Sequence, residues 1–196
     1  MGVDFVSIDG FECAGHPGED DVGGLVLLAR AAQELKIPYL ASGGFADGRG
    51  LAAALALGAC GINMVISFIQ GTRFLCTVEA PIHVNIKKAI VNASERDTAL
   101  MFRTMHNTAR VFKNKVSAQV VEIERTGNAK FEDIKHLVAG DRGRKVYTTG
   151  DIDYGVWSAG QVCGLIKDIP TCNAMVETIM HDAVRVIKGL QLTCKL

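Results

Sequence analysis

The sequence predicts an α/β protein built on a parallel sheet, and three observations predict it. Short β-branched and aromatic runs stand at Val3–Ile8, Ile37–Ala41 and Gly61–Met64. Helix-forming stretches separate them, and glycine-bearing loops or turns follow the first two runs. Strand and helix alternating at this pitch form βαβ units, which pair their strands in parallel. Ligands of such sheets sit at the C-terminal ends of the strands, so the residues after each run are the informative ones.

Taken in order, Val3–Ile8 ends at Asp9-Gly10, and Phe11 to Gly24 is a polar, glycine-bearing loop. Leu25, Leu28, Ala29, Ala32 and Leu35 recur at helical spacing. The second run carries Pro38 at its start, the one place a strand tolerates it. Ser42-Gly43-Gly44 turns the chain. Asp47 is an N-cap candidate for the Ala/Leu-rich helix over Leu51–Leu57, which Gly58 ends. Farther on, Ala80–Val91 and Glu95–Lys115 read as helices, and residues 116–144 are charged without a clear period. Tyr147–Gly164 reads as a loop holding the single Trp157, and Cys172–Leu190 as a last amphipathic helix. A soft boundary near residue 80 separates a βα segment, 1–80, from a mainly helical one, 81–196.

Composition narrows the class. The chain has 196 residues, 48% hydrophobic and 21% charged, which suits one globular domain and excludes a disordered or fibrous chain. Lys and Arg number 21 and so do Asp and Glu, so no net field attracts nucleic acid, and 6% aromatics offer little for base stacking. No apolar run approaches the ~20 residues of a membrane span. Met1–Gly10 lacks a basic leader, so the expectation is a cytoplasmic protein with neither membrane nor nucleic-acid partner. The six cysteines are far apart and form no CxxC pair, which favours free thiols, several of them buried.

Three constellations carry chemistry. In Asp9-Gly10-Phe11-Glu12-Cys13-Ala14-Gly15-His16, followed by Pro17-Gly18, the backbone can bend sharply and present the imidazole. Such a histidine can take a proton or donate a hydrogen bond to a developing anion, or it can be an idle loop residue. A metal site from Cys13, His16 and the acids at 19–21 lacks a ligand set. The glycines of Ser42-Gly43-Gly44 let a phosphate approach the backbone, or serve the turn alone. Neither a P-loop nor GxGxxG is present. Gly71-Thr72-Arg73-Phe74, after Asn63-Met64, is a further phosphate-type turn, and two such turns after consecutive strands suit the phosphate position of (β/α)8 barrels.

These segments, with Ala41–Ala59 and Tyr147–Val162, resemble the nitronate monooxygenase family. That family was formerly called 2-nitropropane dioxygenase and includes NAD(P)H:quinone reductases; the His16-Pro17-Gly18-Glu19 form is most similar to the reductase branch. The resemblance implies a TIM barrel, a (β/α)8 fold, with an additional helical subdomain and one non-covalent FMN at the C-terminal mouth. It implies that Asp9, Ala14 and Gly15 line the flavin, that Ser42, Gly43, Gly44, Gly71 and Thr72 hold its phosphate, and that His16 is the catalytic histidine. Trp157 could pack beside the flavin or belong to the core. The implied reaction is oxidation of alkyl nitronates with molecular oxygen. The alternatives are reduction of quinones with NAD(P)H as reductant and an inactive, truncated remnant.

Two features depart from that family. A whole barrel takes ~250 residues and eight strands, whereas three strand runs are clear here. The expectation is therefore the C-terminal part of a barrel, with an exposed apolar edge and homo-oligomerisation left open. In addition, Val65–Gln70 separates Asn63-Met64 from Gly71-Thr72, where the family runs them together. Extended as strand, these six residues would carry the turn up to ~20 Å from the site; looped out, they would leave it in place. The two departures together give the expectation that FMN binding is weakened or lost.

Overall fold

A computed structural model describes residues 2–64 and 71–194. The βα alternation is present in it. Strands β1 (Val6–Asp9), β2 (Tyr39–Ser42) and β3 (Gly61–Asn63) form one parallel sheet in the order β1-β2-β3, joined by helices α1 (Gly24–Glu34) and α2 (Gly48–Ala56). The register sets Asp9 opposite Ser42, and Ser42 opposite Asn63, so three polar side chains end three neighbouring strands in one row. Leu28, Ala31, Tyr39, Ala41, Ala54 and Ala59 fill the space between sheet and helices. Asp47 caps α2 as expected, its carboxylate accepting from Gly50 N at 2.8 Å. Gly58 follows at φ +94°, a conformation that favours glycine.

After β3 the chain forms the single turn α3 (Thr72–Leu75) and helix α4 (Val84–Asn92). The extension expected for Val65–Gln70 lies outside the described residues. Helix α4 starts four residues later than the spacing suggests, because Pro81 precedes its N-cap, His83, whose Nδ1 accepts from Asn85 N. Buried Lys87 points its ammonium at the carbonyls of Thr77, 2.6 Å away, and Val78, 3.3 Å away, and so closes the turn after α3.

The helix expected over Glu95–Lys115 is not formed. Its place is taken by an antiparallel hairpin of β4 (Thr98–Met101) and β5 (Ala109–Phe112). Two left-handed residues, Phe102 at φ +62° and His106 at φ +51°, flank a single 3-10 turn, Arg103–Met105, and prevent a continuous helix there. The buried Glu124 carboxylate accepts from Phe102 N at 2.9 Å and from the Thr104 hydroxyl at 3.1 Å, which holds the turn. The charged stretch that follows is three helices, α5 (Lys115–Glu124), α6 (Phe131–Val138) and α7 (Gly140–Thr149). Helix α7 therefore takes the first residues of the expected loop. Trp157 belongs to the core: it stacks on Phe112 with ring centroids 4.2 Å apart, and its indole N–H donates to Ile152 O. Arg142, in the small basic patch, is spent on the carbonyls of Tyr154 and His136.

Helix α8 (Cys172–Thr193) packs across α2, joining Met175, Ile179 and Ala183 to Leu51 and Ala52. None of the described helices is long and apolar enough to cross a membrane. Phe5 is 60% exposed and Leu25 71% exposed, so apolar side chains do stand free just before β1 and in the first turn of α1.

The crossing of α2 and α8 generates a paired prediction. A β-carbon on Gly48 would stand 2.5 Å from Ala183 N and 2.7 Å from Ile179 O, both rigid helix backbone. Gly48→Ala is expected to destabilise the chain by about 1–3 kcal/mol. At Gly189 in α8 a β-carbon meets nothing within 4 Å, and Gly189→Ala is expected to stabilise by about 0.5–1 kcal/mol. Urea midpoints moving in opposite directions at constant m-value check the pair.

Candidate functional site

The row Asp9, Ser42 and Asn63 opens into a cavity of about 350 Å³ at the C-terminal ends of the three strands. The loop after β1 contributes Ala14, Gly15 and His16 to its wall, and the turn after β2 contributes Gly43 and Gly44. Beyond β3, Gly71 and Thr72 line it too. All nine residues singled out in the sequence thus surround one space, and the Gly71-Thr72 turn has not been carried away from it. Gly160 and Val162, far along the chain, complete the wall; nothing in their local sequence except the family-like segment ending at Val162 points to them.

Backbone approach builds this wall. Gly43 has φ +80° and Gly44 φ +86°. A β-carbon on Gly43 would lie 2.9 Å from both Cys13 Cβ and Gly10 O, so the β2 turn and the β1 loop can meet only through glycine. Gly160 is wedged in the same way, 3.0 Å from Glu12 O at its β-carbon position, while its N–H donates to Thr72 Oγ1 at 2.9 Å. The Glu12 carboxylate accepts from Gly24 N with both oxygens, at 3.0 and 2.9 Å, and so caps α1 from the cavity wall. Arg73 is buried and bound to Asp168, 2.8 Å away.

Polar supply in the cavity is unbalanced. Asp9 Oδ1 and Ser42 Oγ are buried and find no hydrogen-bond partner among the described residues. Buried polar atoms are nearly always paired, so these two mark a place in the cavity wall open to a polar partner. Cys13 also lines the cavity, but burial, helped by Asp9, pushes its thiol up to about 11, which keeps it protonated and inert. His16 is exposed at the rim.

The acidic run beyond His16 is structural. Glu19 accepts from Thr108 N at 2.7 Å and from the Thr108 hydroxyl at 2.6 Å, and Asp21 pairs with Arg103 at 2.8 Å. Among the described residues no group of three His, Cys, Asp or Glu side chains could hold a metal ion.

Two predictions follow from these groups. Alkylation at neutral pH is expected to label exposed Cys60 and Cys194 and to spare Cys13, as peptide mapping will read. The bonds from Thr108 hold the Glu19 carboxyl below the usual carboxylate range. A carboxyl depressed by folding stabilises the fold at neutral pH and loses that contribution as pH falls through its folded value. Hydrogen-exchange protection of the Thr108 amide is therefore expected at pH 7 and lost on acidification; Glu19→Ala removes it at pH 7.

Known proteins resemble this chain along most of its length. The family model for nitronate monooxygenase matches residues 1–182. The solved structure of FabK from Thermotoga maritima is 34% identical and superposes with a TM-score of 0.87, over 97% of this chain and 57% of that one. A probable nitronate monooxygenase of Bacillus subtilis is 37% identical over 92% of this chain and 52% of its own length. A Rhodococcus jostii protein named as a 5-hydroxy-7a-methyl-1-oxo-octahydro-1H-indene-4-carboxyl-CoA dehydrogenase is 29% identical over 96% of this chain and 61% of its own length. The chain thus spans between half and two thirds of these relatives. With a family model matched along almost its whole length and the motif residues gathered at one cavity, the chain belongs to the nitronate monooxygenase family.

Proposed function

We propose that this chain carries the FMN site of an oxidoreductase that oxidises alkyl nitronates with molecular oxygen, and that β1–β3 are neighbouring staves of a (β/α)8 barrel. The observation that carries the reading is the convergence of the nine motif residues on one cavity at the strand ends. The residues fit the group. The cavity lies in the range of about 300–1,000 Å³ usual for small-molecule sites. Two buried polar atoms await a partner, and two consecutive left-handed glycines leave room for an anion against the backbone.

When bound, FMN supplies the electron transfer to and from substrate and oxygen, which no side chain in the cavity can supply. The protein's own part is placement. Asp9 accepts from a donor on the ligand, and Ser42 closes its unpaired hydroxyl on the same polar edge. Gly43, Gly44 and Gly71 let the phosphate approach, and the Thr72 hydroxyl, already accepting from Gly160, donates to it. Ala14 and Gly15 are small enough for a planar ring to rest against their backbone. His16 orients the anionic nitronate by donating a hydrogen bond from the rim. The protonated Cys13 thiol stays out of the chemistry.

An NAD(P)H:quinone reductase is the second reading. The His16-Pro17-Gly18-Glu19 form of the loop favours it, and so does a dehydrogenase among the relatives. The two are separated by comparing turnover of propionate 3-nitronate under oxygen with turnover of NADPH plus a quinone.

The test begins with an absorbance spectrum after incubation with FMN and desalting. A flavin band near one per chain is expected; a colourless protein refutes the reading. Gly43→Ala, strained and overcrowded at once, is expected to weaken FMN at least about ten-fold. His16→Ala is expected to keep the flavin and to slow turnover by about 10²-fold.

A further inference from the structure

The β4–β5 hairpin lines no part of the cavity, yet it grips the loop that carries His16. Gly15 N donates to Arg110 O at 3.1 Å, and Arg110 N donates back to Gly15 O. The Arg110 side chain then reaches the other end of the same loop segment. Its Nη2 donates to Phe11 O at 2.9 Å, its Nη1 donates to Thr98 Oγ1 at 3.0 Å, and its guanidinium carbon lies 4.5 Å from the centre of the Phe11 ring.

Arg110 is only 3% exposed, and among the described residues it makes no salt bridge. A buried cation without a counter-ion is costly, and an apolar side chain would fill the same space more cheaply. What an apolar side chain lacks is the planar fork that ties Phe11 O to the hairpin. The loop needs such a tie. Gly15, at φ +77°, and Gly18, at φ +85°, have nothing within 4 Å of a β-carbon position, so packing does not oppose rotation on either side of His16. The exposed imidazole takes its pose from where Phe11 and Gly15 are held.

We propose that Arg110 is a positioning residue for His16: by holding Gly15 with its main chain and Phe11 with its guanidinium, it fixes the imidazole at the cavity rim. That this imidazole then meets substrate rests on the nitronate reading above; the positioning itself does not.

The test uses the chain without flavin. In Arg110→Gln the ring signal of His16 in a ¹H–¹³C spectrum is expected to shift and broaden, while those of His83, His136 and His181 stay in place. Exchange protection of the Gly15 amide is expected to fall about ten-fold, the worth of one net hydrogen bond. An unchanged His16 signal and unchanged Gly15 protection in the folded variant would overturn the proposal. Should Arg110→Gln not fold, Arg110→Lys keeps the charge but not the fork, and the same two readouts decide. In the FMN-loaded chain the variant is expected to retain flavin and lose about ten-fold in kcat at constant KM. Loss of flavin instead would mean that Arg110 builds the pocket rather than the pose, and would also overturn the proposal. A wild-type chain that takes up no FMN refutes the nitronate reading, while the spectrum without flavin still decides the role of Arg110.

Discussion

The cavity depends on backbone meeting backbone at distances that a β-carbon forbids. Gly43 lies against Gly10 and Cys13, Gly160 against Glu12 and Ala14, and a β-carbon on Gly10 would stand 2.6 Å from Gly24 Cα. All three contacts converge on the short loop after β1. The loop is therefore clasped by the β2 turn on one side, by the start of α1 on another, and by a distant segment on a third. A site made this way gets its shape from the main chain, and its few polar side chains only finish it.

The buried polar groups show how the fold treats charge. Lys87 is met by two carbonyls, Arg110 by a carbonyl, a hydroxyl and a ring, and Glu124 by an amide and a hydroxyl. Each is met by neutral partners rather than by a counter-ion, although Arg110 Nε itself finds none among the described residues. Asp9 and Ser42 break that habit. Their unpaired atoms lie in the cavity, where a ligand rather than the protein can complete them.

Much of this was legible because it is local. Asp47 and Gly58 bracket α2 by capping chemistry that needs no tertiary context, and the glycine turns after the strands mark the site. The hairpin was not legible. Leu100, Met101 and Met105 fit a helical spacing, and all four residues of β5 are buried, so no polar face reveals the strand. Misreading that stretch hides Arg110, whose partners are Phe11 and Gly15. Trp157 could be placed beside the flavin or in the core on sequence grounds, and Phe112, its stacking partner, lay within the same misread stretch.

The bond from Gly160 N to Thr72 Oγ1 joins residues 88 positions apart, and Arg110 reaches Phe11 across 99. Closures of such span come late when a chain is made from its N-terminus and each loop must first be brought together. A nascent chain that has emerged only through β3 and α4 already holds all three strands and the motif turns between them. It still lacks the segments that close over the loop. The cavity therefore gains its full wall only when Gly160 has joined the turns that precede it.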